Sequence, residues 1–485
     1  MVGNLLHTNA AVRNVLISAE AVFRKCFSIL LRVNESNLLK FQPTLAEALF
    51  RIDKVHLALA QRRQQLILRK KLLDEKWFLV EMRRTARAQE SLKEAISIGH
   101  ALGDAFAWIF YRNSRTLLDR HLSSPPQPFR PTGIGGQGEL EFIRRGQLLN
   151  DFFVLYHGIT SLLRVGDASL INPKTMKAVG LCEIKTERTS ESTLNVMLFM
   201  VGSEDFTDRL FTTGKMESPE EPKEFLETFP DRKKQHLDRQ IKTMAKSFEA
   251  HRIDKHISLS HHGHVNRLGE LMKQLQSKRS ACIRVHEGLV LFGMKAPGKS
   301  LSQRLFGPKR SFSSQKLFTG LVEKVALTID RSQIKSPDNS NCIIINAISM
   351  TNSLRGMESK LLWPLKSQYI RALLLGEIII FSIYNPAHLI RRLRDRGFNV
   401  TVSKCGRAGP NIEVEKHSDK HIFRLIHGSY LLTLVHTYLH SEDLIVDVLS
   451  RAMAELPKMS DGQSATIQLV MQQHLEAYQE GGDGT

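Results

Sequence analysis

The pattern of apolar and polar positions divides the chain into a helical N-terminal region and a longer remainder in which strand-like and helical runs alternate. Over residues 1–122 apolar residues recur every three or four positions, and Arg, Lys, Glu and Gln fill the gaps. "PTLAEALFRIDKV" places Thr44 and Glu47 at capping-box spacing. From there to about His121 no proline intervenes and glycine is sparse. The run "AQRRQQLILRKKLLDEKWFLVEMRRTARAQESLKEA" consists largely of strong helix formers, so one very long helix or a helical hairpin is expected. Such an arm packs on a second copy or on its own domain, which makes a homo-oligomer through the helices an expectation.

"SSPPQPFRPTGIGGQG", residues 123–138, reads as a linker, because four prolines and four glycines cannot continue a helix. Its GxGG lacks the preceding strand and the GK[ST] ending of a phosphate loop. In "ELEFIRRGQLLNDFFVLYHG" the positions Phe142, Leu149, Phe152, Phe153 and Tyr156 fit a helix over 139–158. A hairpin over 165–186 follows, then a strand in "TLNVMLFMVG" and an acidic, proline-bearing excursion over 203–232. "DRKKQHLDRQIKTMAKSFEA" is helical, with Leu237, Ile241, Met244 and Phe248 in one stripe, and "ACIRVHEGLVLFGMK" alternates as a strand. The order over 139–295 is helix, strands, helix, strand. Residues 296–320 form a basic loop, residues 321–475 continue as α/β structure, and residues 476–485 are a tail. The expected class is α/β with a long all-helical N-terminal region.

Charge narrows the partners. The chain carries 68 basic against 49 acidic residues, a net charge of +19, which favours a polyanion, nucleic acid before anionic lipid. Lys299, Arg304, Lys309, Arg310 and Lys316 in the basic loop are the expected phosphate-backbone contacts. The five cysteines form no CxxC pair, so a reducing, cytoplasmic setting is expected and a zinc ribbon or disulfide framework is not. The longest apolar run, "ALLLGEIIIFSIY", is interrupted by Glu377 and falls short of the roughly 20 residues of a spanning helix. His251, His256, His261, His262 and His264 lack HExxH or Cys-paired spacing and read as a polar loop or helix end, with phosphate contact as a minor role.

The chemistry concentrates in "VGDASLINPKTMKAVGLCEIKT", residues 165–186. "NPKT" supplies a turn centred near Thr175. Residues equidistant from that centre face each other, which pairs Asp167 with Glu183 to within a residue of register. Side chains alternate along a strand, so Glu183 and Lys185 share a face while Cys182 and Ile184 take the other. Two carboxylates and a lysine therefore converge at one end of the hairpin. Two such carboxylates repel unless one is protonated or a cation compensates them. Together with a backbone carbonyl they offer the oxygen ligands that Mg²⁺ takes.

Gly166-Asp167 and Glu183-Ile184-Lys185, with fifteen residues between the two acids, resemble the PD-(D/E)XK nuclease superfamily. The resemblance implies a restriction-endonuclease-like mixed sheet flanked by helices over about 139–295. It implies a Mg²⁺- or Mn²⁺-dependent nuclease that hydrolyses phosphodiester bonds of nucleic acid, DNA first. Asp167, Glu183 and Lys185 would carry the reaction. The superfamily often adds a glutamate on the first helix, for which Glu141 or Glu139 is available; Glu141 is preferred because it lies nearer the Leu148/Phe152/Leu155 side. Some members add a glutamine on the second helix, here Gln240. The metal ligands would be Asp167, Glu183 and Glu141. The chain departs from the pattern in having Gly166 where the superfamily has proline, and in the extra strand over 193–201. By architectural analogy an anti-phage or mobile-element effector is the expected context. The bland alternative is a salt bridge that closes the hairpin. The alternative of another class is a non-catalytic nucleic-acid-binding or scaffold protein built on a degenerate nuclease fold.

Overall fold

The computed structural model describes residues 2–32, 35–112, 114–125, 133–149, 151–188, 194–202, 231–248, 255–259, 263–298, 300–306, 343–351, 358–402, 411–417, 422–425, 428–455 and 467–471. It divides into two compact units, Met1–Arg252 and Ile253–Thr485. No helix among the described residues is long and apolar enough to cross a membrane.

The first unit opens with α1 (Val2–Leu30), α2 (Glu35–Leu68), α3 (Glu75–Tyr111) and α4 (Arg115–Ser123). α2 starts well before the Thr44 capping signal and runs through Pro43. α3 is capped by Asp74, whose carboxylate accepts the Trp77 N–H at 2.8 Å. The stripes Val12, Leu16, Phe23 and Phe27 on α1, Phe41, Leu45, Leu49 and Ile52 on α2, and Leu92, Ile98, Leu102 and Phe106 on α3 are all buried.

The linker gives way to α5 (Gly133–Arg145), after which the chain forms β1 (Leu148–Leu149), β2 (Phe152–Tyr156), β3 (Ala168–Asn172), β4 (Lys177–Arg188) and β5 (Leu194–Gly202). These strands make one antiparallel sheet in the order β1-β2-β3-β4-β5. α6 (Asp231–Phe248) packs on β4 and β5. The helix expected over 139–158 therefore ends at Arg145. "FFVLY" is a short aromatic and β-branched run, the composition of a strand, and Asp151 at φ 68 turns the chain into it.

The helices are the wall of this sheet, not a free arm. Phe106 on α3 stacks on Phe41 at 4.1 Å, and Phe110 stacks on Phe153 of β2 at 5.4 Å. Gly103 lets α3 reach the backbone of Ile159, where any Cβ would collide with the carbonyl. Gln42 covers the part of β2 that extends past the two-residue β1: its amide N–H donates to the Val154 carbonyl at 2.8 Å and its oxygen accepts the Tyr156 N–H at 2.7 Å.

The second unit contains β6 (Lys255–Leu259), α7 (Val265–Ser277), β7 (Ser280–His286), β8 (Leu289–Lys295), α8 (Leu301–Phe306), β9 (Ile344–Ala347), α9 (Ser367–Leu374), β10 (Ile378–Tyr384), α10 (Ala387–Asp395), β11 (Asn399–Val402), β12 (Ile412–His417), β13 (Ile422–Leu425), α11 (Ser429–His436), α12 (Glu442–Glu455) and β14 (Ile467–Met471). Its sheets run β7-β8-β10-β9, β11-β12-β13 and β14-β6. The expected core over 139–295 is thus divided. Residues 281–295 are two strands, and β8 pairs with β10 along its full length, so they complete the second unit's sheet and not the one that holds the hairpin. The apolar run 372–384 breaks at Gly376, whose φ of +65 ends α9 before β10 begins.

Candidate active site

Asp167 stands immediately before β3, opposite Glu183 of β4. Ala168 pairs with Cys182, and the Asp167 N–H donates to the Cys182 carbonyl at 2.7 Å. The register follows the turn: the Asn172 side chain accepts the Lys174 and Thr175 amides at 2.9 and 3.3 Å. It shifts between Leu170 and Ile171, so Val179 is skipped near the turn and Asp167 comes opposite Glu183. Gly166 has φ +71, and a Cβ there would lie 2.8 Å from the Cys182 carbonyl. Proline cannot adopt that conformation, so glycine is required where the superfamily pattern has proline.

Around this pair the side chains close. The Lys185 ammonium donates to Glu183 Oε1 at 2.6 Å and to Gln240 Oε1 at 3.1 Å. Gln240 of α6 returns a hydrogen bond to Glu183 Oε1 at 2.5 Å. Asp167 Oδ2 accepts the Ile184 N–H at 2.8 Å. Asp167, Glu183, Lys185 and Gln240 are therefore brought together. Glu183 is buried, and the other three are half-buried at the rim.

Of the two acids the sequence offers on α5, the structure brings Glu139 to this cluster, whereas the preferred Glu141 stands apart from it. Glu141 pairs with Arg144 at 3.4 Å and Arg145 at 2.6 Å. Glu139 accepts the Tyr156 hydroxyl proton. The preference for Glu141 assumed one helix through Leu155, and α5 stops at Arg145, so Leu148, Phe152 and Leu155 give no guide to the inner face. Tyr156 was not recognised as a site residue. Its signal was the aromatic end of a strand beside the hairpin.

The electrostatics follow from three acids sharing one lysine. Burial, then the charges of Glu183 and Glu139, push the Asp167 carboxyl well above its ordinary range; the Ile184 amide and Lys185 oppose this. Burial, then Glu183, raise Glu139. The Tyr156 phenol is pushed up by burial and by Glu139 and Asp167.

The expected nucleic-acid contacts fare differently. Arg304 lies on α8, and its Nε–H donates to the Leu375 carbonyl at 2.9 Å. Lys299, Lys309, Arg310 and Lys316 lie outside the described residues, as do most of the excursion over 203–232 and His251, His261 and His262. His256 lies in β6. His264 precedes α7 and faces His286 and Glu442.

Comparison of the chain with protein-family models, with curated proteins and with solved structures finds no match.

Proposed function

We propose that the first unit is a metal-dependent nuclease of the PD-(D/E)XK kind, with Asp167, Glu183 and Glu139 as the acids that hold a divalent ion. The observation that carries this reading is the convergence of three carboxylates on one lysine at the end of a hairpin. A salt bridge that merely closes the hairpin accounts for Glu183 and Lys185. It leaves Asp167 and Glu139 sharing that one lysine, and burial, with the neighbouring acids adding to it, raises both carboxyls. The donor set fits Mg²⁺ or Mn²⁺, which are bound by carboxylate oxygens and retain several waters. Such an ion supplies a Lewis acid for the phosphate and a water of lowered pKa.

The chain's own residues do the rest. Lys185, held by Glu183 and Gln240, presents a compact cation to a phosphoryl oxygen whose charge grows in the transition state. Gln240 fixes the orientation of Glu183. Tyr156 holds Glu139 in place. The net charge of +19 attracts the polyanionic substrate.

Purified protein is incubated with plasmid DNA, single-stranded DNA and RNA, with and without Mg²⁺ or Mn²⁺. Cleavage of at least one substrate that needs the ion and is lost in Asp167→Asn is the expected result. No cleavage of any substrate, or equal cleavage by Asp167→Asn, overturns the reading.

A further inference from the structure

Within the second unit, three ligand-bearing side chains from elements distant in sequence point at one another. His264 stands at the N-terminus of α7, His286 ends β7, and Glu442 opens α12. One ligand atom from each lies within 4.8 Å of the other two. His286 Nε2 is 3.2 Å from Glu442 Oε1, and His264 Nε2 is 3.9 Å from Glu442 Oε2. The two imidazole centroids are 5.2 Å apart.

The imidazoles face the carboxylate, but at alignments too poor for well-formed hydrogen bonds. His264 Nε2, His286 Nε2 and Glu442 Oε1 are buried and have no hydrogen-bond partner among the described residues. Buried polar atoms are ordinarily satisfied, so three that meet at one point ask for a common partner. Glu442 is only 8% exposed. Burial pushes its carboxyl up, but the facing imidazoles of His264 and His286 outweigh this and hold it well below the usual carboxylate range. His388 lies alongside, its centroid 5.6 Å from His286 and its Nε2 also without a partner among the described residues.

We propose that His264, His286 and Glu442 form a zinc-binding site that fastens the start of α7, the β7–β8 turn and the start of α12. Two imidazoles and a carboxylate are a donor set zinc takes, with water in the fourth position. They suit it better than Mg²⁺, which prefers oxygen throughout. Ligand atoms about 2.0–2.1 Å from the ion lie nearer one another than 4.8 Å, so the side chains draw together on binding. The Gly288 N–H donates to His286 Nδ1 at 3.1 Å, so the neutral, metal-free ring keeps its proton on Nε2. Zinc takes the Nε2 position, and the ring stays neutral with its proton on Nδ1, which requires the Gly288 contact to open. The site is built from residues of the second unit alone and is independent of the nuclease reading.

The test uses the full chain carrying Asp167→Asn and Glu183→Gln, so that the acid cluster of the first unit contributes little to metal binding. After chelation and dialysis it is given Zn²⁺, or Co²⁺ as a visible probe, and bound metal is counted by elemental analysis. One tightly held equivalent, visible Co²⁺ absorption of nitrogen and oxygen ligation, and a higher melting temperature with zinc are expected. His264→Ala, His286→Ala and Glu442→Gln should each weaken binding by more than the roughly 10–100-fold that loss of a supporting residue costs. Glu442→Gln keeps the side chain's size, so it tests ligation if an alanine variant fails to fold. No retained equivalent, or zinc held as tightly by Glu442→Gln as by its parent, overturns the proposal.

Discussion

Two groups of polar side chains lie against β3 in the first unit, and they solve burial in opposite ways. Behind the strand, Tyr111, His121, His157 and Ser169 satisfy one another. The Tyr111 hydroxyl meets His121 Nε2 at 3.0 Å and Ser169 Oγ at 2.5 Å, and His157 Nε2 meets Ser169 Oγ at 2.5 Å. His157 Nδ1–H donates to the Gly166 carbonyl at 2.9 Å, and His121 Nδ1 accepts the Arg164 and Val165 amides at 3.0 Å each. Burial keeps both imidazoles neutral: His157 falls to about 4 and His121 well below its ordinary value. Every group is neutral and paired. At the strand's end, the carboxyl groups of Asp167, Glu183 and Glu139 have Lys185 as the one cation among them, and burial with the neighbouring acids raises Asp167 and Glu139. A closed network rigidifies a fold, whereas an unbalanced one has charge left over for a ligand. The first orients the second, since His157 holds the backbone on either side of the Asp167 Cα: its ring takes the Gly166 carbonyl and its backbone N–H takes the Asp167 carbonyl at 2.8 Å.

The sharpest break in this comparison is expected at the acids. Asp167→Asn and Glu183→Gln should each lower cleavage by about 10²–10³-fold or more, while folding stability stays level or rises in Asp167→Asn, which removes a like charge, and falls in Glu183→Gln, which takes the partner from Lys185. Cleavage rates and urea midpoints on the same preparations check both. A stable variant with full cleavage would place the acids beside the inert network.

His157→Ala should do the reverse. It empties a buried site and strands the Ser169 hydroxyl and the Gly166 carbonyl, at a cost of about 2–4 kcal/mol. Denaturant unfolding measures that loss. Retained cleavage at low temperature would separate its role from that of the acids. Gly166→Ala should cost less, about 1–2 kcal/mol for a non-glycine residue at positive φ, plus whatever the displaced Cys182 carbonyl adds. Its cleavage should fall more than its stability, because the residue sets the entry of Asp167. Equal effects would make it a turn residue only.

Much of the acid pair was legible because it depends on local rules. Strict alternation sets Lys185 on the face of Glu183, but the turn-side register alone would put Asp167 opposite Cys182, and it is the skipped Val179 that brings Asp167 to Glu183. Gln240 came from the resemblance alone, as a glutamine on the helix after the hairpin, and that helix is uninterrupted over Asp231–Phe248. Glu139 was passed over, because its phase was counted along a helix that stops at Arg145. The helical region was readable as helices, but its long apolar stripes do not say whether a second copy or the chain's own sheet covers them. Phe41, Phe106 and Phe153 meet only through tertiary packing. The split after Arg252 was hidden for the same reason: a β7–β8 hairpin reads identically whichever sheet it joins. His264, His286 and Glu442 share no spacing at all, so only the fold brings them together.

The smallest expected effect is in the pH dependence of stability, where the two groups pull in opposite directions. His157 has a folded value of about 4 against an ordinary value near 6.5. Below 6.5 the unfolded chain binds the extra proton, so this contribution is complete above that pH and is lost as pH falls towards 4. His121 acts in the same sense. The raised carboxyls have the other sign. Burial lifts Asp104 to about 6, against the opposing bonds from Ser161 and Leu162, and lifts Asp167 well above its ordinary range. Their contribution is complete below the unfolded carboxylate value, near 3.9, and is lost as pH rises through the folded one. Between about pH 4 and 6.5 the two terms oppose, and wild-type stability should vary little from this source. Asp167→Asn removes part of the carboxyl term and leaves the histidines, so the variant should lose stability more steeply than wild type as pH falls through that window. Urea midpoints at several pH values read the slopes. Parallel slopes would mean that Asp167 carries no raised carboxyl, and with it would go the charge imbalance that distinguishes the site from the network behind it.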